Sequence, residues 1–96
     1  MIINNKILDE LTAQAKASPR LRQSYDLRNT PEDNSQRMLN AIEPGSPLPI
    51  HRHLASSETV VLLHGKICWH FYDVVGIETE SIVLDANGSI RCINII

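Results

Sequence analysis

A chain of 96 residues with 43% apolar and 21% charged side chains has the make-up of one ordinary folded domain, which argues against wholesale disorder. Its net charge of -2 lacks the basic footprint of a nucleic-acid binder or of a protein drawn to an anionic membrane. A chain this size can bury roughly 60–70% of its unfolded surface, enough for one core without cross-links.

The opening residues Met1-Ile2-Ile3-Asn4-Asn5-Lys6 lack the charged start and apolar run of a signal peptide. No apolar stretch approaches the roughly 18 residues that a membrane helix needs, so a cytoplasmic address is expected. A helix follows. Asn4 or Asn5 can cap it, Asp9 and Glu10 fall in or near its first turn, and Ile7, Leu8, Leu11 and Ala15 form one apolar stripe. Ser18-Pro19 should end it, because the residue before proline is pushed out of the α region. Residues 19–29 show no clean period, and Thr30-Pro31-Glu32-Asp33 suits either a single helical turn or a surface loop.

From Gln36 the pattern becomes that of strands. Gln36 to Ile42 alternates, with Arg37, Leu39 and Ala41 on one face, and Pro44-Gly45-Ser46-Pro47 is a turn. Thr59 to Leu63 is expected as a buried strand, with His64-Gly65 turning into a second strand over Ile67 to Tyr72. Asp73-Val74-Val75-Gly76 is a hairpin turn, Glu80 to Leu84 a strand, Asp85-Ala86-Asn87-Gly88 a turn and Ser89 to Ile96 a last apolar strand. Short strands every 8–12 residues joined by glycine turns indicate an antiparallel sandwich or barrel. Cys68 and Cys92, with no C-x-x-C spacing, read as buried reduced thiols. The run Ile93-Asn94-Ile95-Ile96 is an apolar edge that should be covered, by a second subunit or by further chain.

The stretch that carries chemistry reads Gly45, five residues, His51, one residue, His53, four residues, Glu58, six residues, Gly65. Side chains at i and i+2 of a strand share a face, so His51 and His53 can converge on one ion. Glu58 stands across the short connection Leu54-Ala55-Ser56-Ser57, where its carboxylate can reach the same point. Two imidazoles and one carboxylate leave open positions for water or substrate and suit iron(II), manganese, nickel or zinc. The bland alternative is two exposed histidines on an edge and a surface carboxylate. Gly45 and Gly65 permit the sharp turns that bracket the two strands.

These residues match G-x5-H-x-H-x4-E-x6-G, the first conserved motif of the cupin superfamily, at every specified position. The whole chain resembles the small cupin-fold metalloproteins of the WbuC family, through Ser18-Pro19-Arg20-Leu21-Arg22, Gln36-Arg37-Met38-Leu39-Asn40-Ala41 and Glu43-Pro44-Gly45 as well. The resemblance implies a mainly β, jelly-roll antiparallel barrel with an N-terminal helix. It implies a single cupin domain over 1–96, with a helix and arm over 1–35 and barrel strands over 36–96. His51, His53 and Glu58 would hold a divalent transition metal. The second cupin motif, which carries a fourth ligand, is cut off after Gly88, so the barrel is expected to be short at its C-terminus and to hold its metal less tightly.

The resemblance further implies a role in bacterial O-antigen or other surface-polysaccharide synthesis, with metal-dependent isomerisation or epimerisation of a sugar or sugar nucleotide as the reaction class. The alternatives are a non-catalytic sugar- or metal-binding module and a truncated cupin acting as a dimeric interaction protein. A homodimer is expected, with a small molecule rather than nucleic acid or membrane as its ligand. Arg37, inward-facing if its register follows related cupins, could hold an anionic substrate group; a surface ion pair is the equal alternative. His70 alternates with Ile67, Trp69 and Phe71 and is expected to face away from them, while His64 is expected to be solvated.

Overall fold

A computed structural model describes residues 1–48 and 57–95 of the chain. It contains one helix, α1 (Asn5–Ala17), and six strands: β1 (Arg22–Asp26), β2 (Met38–Ile42), β3 (Glu58–Val61), β4 (Lys66–Tyr72), β5 (Glu78–Asp85) and β6 (Cys92–Ile95). The chain divides into two compact units, Met1–Pro49 and Ile50–Ile96. Among the described residues the strands make three two-stranded antiparallel sheets, β1-β2, β3-β6 and β4-β5, and no closed barrel.

In the first unit, Asn4 caps α1: its backbone is extended and its side chain accepts a hydrogen bond from the Ile7 N–H at 3.1 Å. Asp9 and Glu10 follow directly on the first turn, which itself holds no acidic residue. Ser18 closes the helix with an extended backbone, as a residue before proline should. The apolar stripe is directed onto β1 and β2, with Leu11 and Ala15 buried from the helix and Leu39 from the sheet. Leu39 and Ala41 face inward while Met38, Asn40 and Ile42 are exposed, the alternation read from sequence.

The segment without a period is a strand. Arg22 to Asp26 pairs with Ile42 to Met38, so the expected arm over 1–35 contributes β1, and β2 belongs with it rather than with the later strands. Leu21, at the entry to β1, has φ of 54°, a left-handed conformation costly for a bulky side chain. Its carbonyl accepts from the Glu43 N–H at 2.8 Å, which extends the ladder past Ile42. The 27–37 connection is a surface loop. Thr30 and Asp33 close a turn, and the Asp33 carboxylate accepts from the backbone of Ser35 and Asn29. Pro44 and Gly45 form a turn closed by the Ser46 N–H on the Glu43 carbonyl, and Gly45 takes φ of 89° there.

In the second unit, β4 and β5 form a hairpin. At its turn Asp73 accepts the N–H groups of Val75 and Ile77 on one carboxylate oxygen, both at 3.0 Å, and Gly76 has φ of 86°. Ile67, Trp69 and Phe71 lie half-buried on one face, opposite Leu84 and Ile82, and Leu84 is fully buried. Lys66, Cys68, His70 and Tyr72 take the other, exposed face. The strands β3 and β6 pair outside this hairpin in sequence, from Val61 with Cys92 to Glu58 with Ile95. Two expectations fail here. Val61 and Leu63 are 56% and 47% exposed, so the strand expected to be buried is half-buried on one face and exposed on the other. Cys68 and Cys92 are free thiols, as expected, but both are exposed, because alternation turns each outward from its strand.

Candidate functional site

Glu58 is the first residue of β3, and its face is set by strand alternation. Glu58 and Val60 are half-buried, whereas Thr59 and Val61 are exposed. Across the pair, Ile95 stands opposite Glu58 and Ile93 opposite Val60, and these two isoleucines are also the half-buried residues of β6. Directly opposed residues of an antiparallel pair share a face. The Glu58 side chain therefore shares the half-buried face of the pair with Val60, Ile93 and Ile95. The opposite face carries Thr59, whose hydroxyl hydrogen-bonds the Asn94 side-chain oxygen at 2.7 Å, and Cys92.

His51 and His53 lie outside the described residues. The two glycines that bracket the motif are both left-handed, Gly45 at 89° and Gly65 at 75°, a conformation that favours residues without a Cβ. Gly65 has open space where a Cβ would stand, so its requirement is one of backbone rather than of packing. Among the described residues no group of three histidine, cysteine or acidic side chains could hold a metal. The donor set named by the sequence, two imidazoles and one carboxylate, is chemically suited to a divalent transition metal.

The other candidate side chains fall elsewhere. Arg37, in the first unit, is exposed and held in place. Its guanidinium donates to the carbonyls of Ser35 at 2.6 Å and Leu27 at 3.1 Å, and it pairs with Asp33 at 3.5 Å. It borders a shallow cavity of about 240 Å³ lined also by Met1, Ile3, Leu27 and Asn29. The N–H groups of Ser35 and Asn29, with Arg37, hold the Asp33 carboxyl below the usual carboxylate range. Asp26 is held low in the same way, chiefly by hydrogen bonds from Arg28, whose side chain grips it with two nitrogens. These contacts organise the loop.

In the second unit, His70 faces outward, as the alternation of β4 requires, and its Nδ1 bonds the Glu78 carboxylate across the hairpin. Sequence reading did not anticipate that pair, because the irregularity between Phe71 and Tyr72 shifts the register and brings Glu78 within reach of His70. Lys66 and Asp85 make a longer contact at 3.7 Å at the other end of the same strands. His64 is exposed.

The described residues thus define a mainly β protein with one N-terminal helix and antiparallel strand pairs. No helix among them is long and apolar enough to cross a membrane. The chain belongs to the family described as Domain of unknown function (DUF6016), whose pattern matches residues 3–84 and so spans both units. No curated protein and no solved structure matches it significantly.

Proposed function

We propose that this chain is a cupin-type metal-binding protein in which His51, His53 and Glu58 hold one divalent transition metal, and that its strands belong to a jelly-roll barrel. The observation that carries the reading is the position of Glu58. The single acidic residue of the motif lies on the half-buried face of β3, among Val60, Ile93 and Ile95. Support comes also from the spacing of the motif and from the left-handed glycines at both of its ends. Iron(II), manganese, nickel and zinc all suit the donor set.

When bound, such an ion supplies Lewis acidity toward a carbonyl or enediol oxygen. The residues of the chain hold it on one side, and the remaining coordination positions stay open to a small molecule. Isomerisation or epimerisation of a sugar or sugar nucleotide, in surface-polysaccharide synthesis, is the reaction proposed on the resemblance of the whole chain to the WbuC family. Non-catalytic binding of the same class of ligand is the second reading.

We propose further that the protein acts as a homodimer. Exposed aliphatic residues of the second unit, Val61, Leu63, Val83 and Ile90, support the pairing of two copies. Elemental analysis of protein purified without an affinity metal tests the site. About one equivalent of a transition metal is expected, and it should be lost from a His51→Ala/His53→Ala double variant that keeps its circular dichroism. Metal-free wild-type protein that also fails to take up zinc, cobalt or iron would sink the reading. Sedimentation giving a monomer at every concentration would contradict the dimer.

A further inference from the structure

The tip of the β4–β5 hairpin carries apolar side chains that the hairpin itself does not use. Its turn is closed by backbone. The Gly76 N–H donates to the Asp73 carbonyl at 3.1 Å, and the Asp73 N–H to the Ile77 carbonyl at 2.9 Å. Val74 and Val75 occupy the two central positions, where serine, asparagine, aspartate and proline are the usual residues. They are 88% and 74% exposed, and Ile77 beside them is 63% exposed. A turn fastened by Asp73 and Gly76 gains nothing from valines at its apex. A local choice that works against solubility without helping the fold marks a functional surface. The flanks of the tip are acidic: residues 67–90 contain Asp73, Glu78, Glu80 and Asp85 and neither lysine nor arginine. The tip is thus a convex apolar knob with negative sides, which disfavours both an anionic membrane and a second tip of the same kind.

The first unit offers a complementary shape. Two shallow cavities border Met1, of about 240 Å³ and about 290 Å³. Both are smaller than the roughly 300–1,000 Å³ of small-molecule pockets, a size that suits inserted side chains. Charge separates them. The smaller is lined by Met1, Ile3, Leu27, Asn29 and Arg37, whereas the larger has Glu10 on its wall and would repel an acidic flank. Asp33, 3.5 Å from Arg37, offsets part of that charge, so the apolar contact carries the pairing and Arg37 selects the cavity.

We infer that the chain associates with a second copy by seating Val74 and Val75 of one copy in the cavity bordered by Met1, Ile3, Leu27 and Arg37 of the other. The inference rests on the pairing of two copies proposed above and gives it a contact between unlike surfaces.

Such a contact is tested by complementation, using the full chain and sedimentation equilibrium. Val74→Ser/Val75→Asn gives the turn its usual residues and strips the knob. It should keep or raise the midpoint of urea unfolding while weakening association at least about tenfold. Ile3→Asn changes the cavity wall ahead of α1 and should weaken association by a similar factor, with circular dichroism confirming that the helix is kept. An equimolar mixture of the two variants should regain association, because the intact knob of one meets the intact cavity of the other. Wild-type association in the Val74→Ser/Val75→Asn variant, or a mixture of folded variants no stronger than either alone, would overturn the contact and leave the pairing of copies standing. Wild-type protein that stays monomeric at every concentration would overturn both, and binding of that monomer to phosphatidylcholine vesicles through the valines would assign the tip to a membrane instead.

Discussion

Leu84 is the fully buried large side chain among the described residues of the second unit, and its truncation tests how that unit is held together. It lies on β5 opposite Ile67, on the face shared with Trp69, Phe71 and Ile82. Leu84→Ala removes three carbons, worth about 0.8 kcal/mol each in transfer from water, or roughly 2.4 kcal/mol. Incomplete collapse of the cavity adds to this, for an expected loss of about 3 kcal/mol. A control lies one residue away. Val83 is 54% exposed, so Val83→Ala should cost no more than about 0.5 kcal/mol. The chain has one tryptophan, Trp69, paired with Ile82, so its fluorescence reports on this face during urea unfolding. With a slope near 1–1.5 kcal/mol per molar urea, the midpoint for Leu84→Ala should fall by about 2–3 M. Overlapping curves for the two variants would refute the placement of Leu84 at the centre of this unit.

Three further outcomes are expected. Gly76→Ala should destabilise the hairpin by about 1–2 kcal/mol, since φ of 86° is costly for a side chain even though nothing lies within 4 Å of the added Cβ. Gly76→Asn should recover part of the loss in the same melts. Asp33 has a folded-state midpoint below its unfolded one, so its contribution is complete above the ordinary carboxylate range and drains away as pH falls through the lowered midpoint. Asp33→Asn should flatten acid unfolding below about pH 4, and NMR titration of the wild-type Asp33 carboxyl should give a midpoint under the usual range. At concentrations low enough to leave the protein monomeric, Cys68 and Cys92 should both react with a maleimide within a few-fold of the rate in denaturant. Protection of either thiol in the native monomer would contradict the assigned faces.

The local signals in the sequence were the readable ones. The asparagine cap, the apolar stripe of α1, the stop at Ser18 and the turns at Gly45 and Gly76 each depend on residues a few positions apart, and the structure has them. Strand β1 was not readable. Arg22-Gln23-Ser24-Tyr25-Asp26 has no alternation because four of its five residues are exposed, and it is a strand because β2 offers it a partner. The cysteines and Val61 show the same limit, since an apolar residue type does not say which face of a two-stranded sheet is covered. At the candidate site, the motif spacing was visible along the chain. The aliphatic frame of Glu58 was not, because Ile93 and Ile95 reach it only through the pairing of β3 with β6.

The nesting of the second unit also orders its assembly. The β4–β5 hairpin is local, and once it closes it draws Val61 toward Cys92, so the outer ladder can zip from that end at little extra entropic cost. The rung farthest from the hairpin is Glu58 with Ile95, and amide exchange should find it the least protected of the ladder. Any ligand that binds only the paired strands would raise amide protection at the start of β3 in step with its concentration.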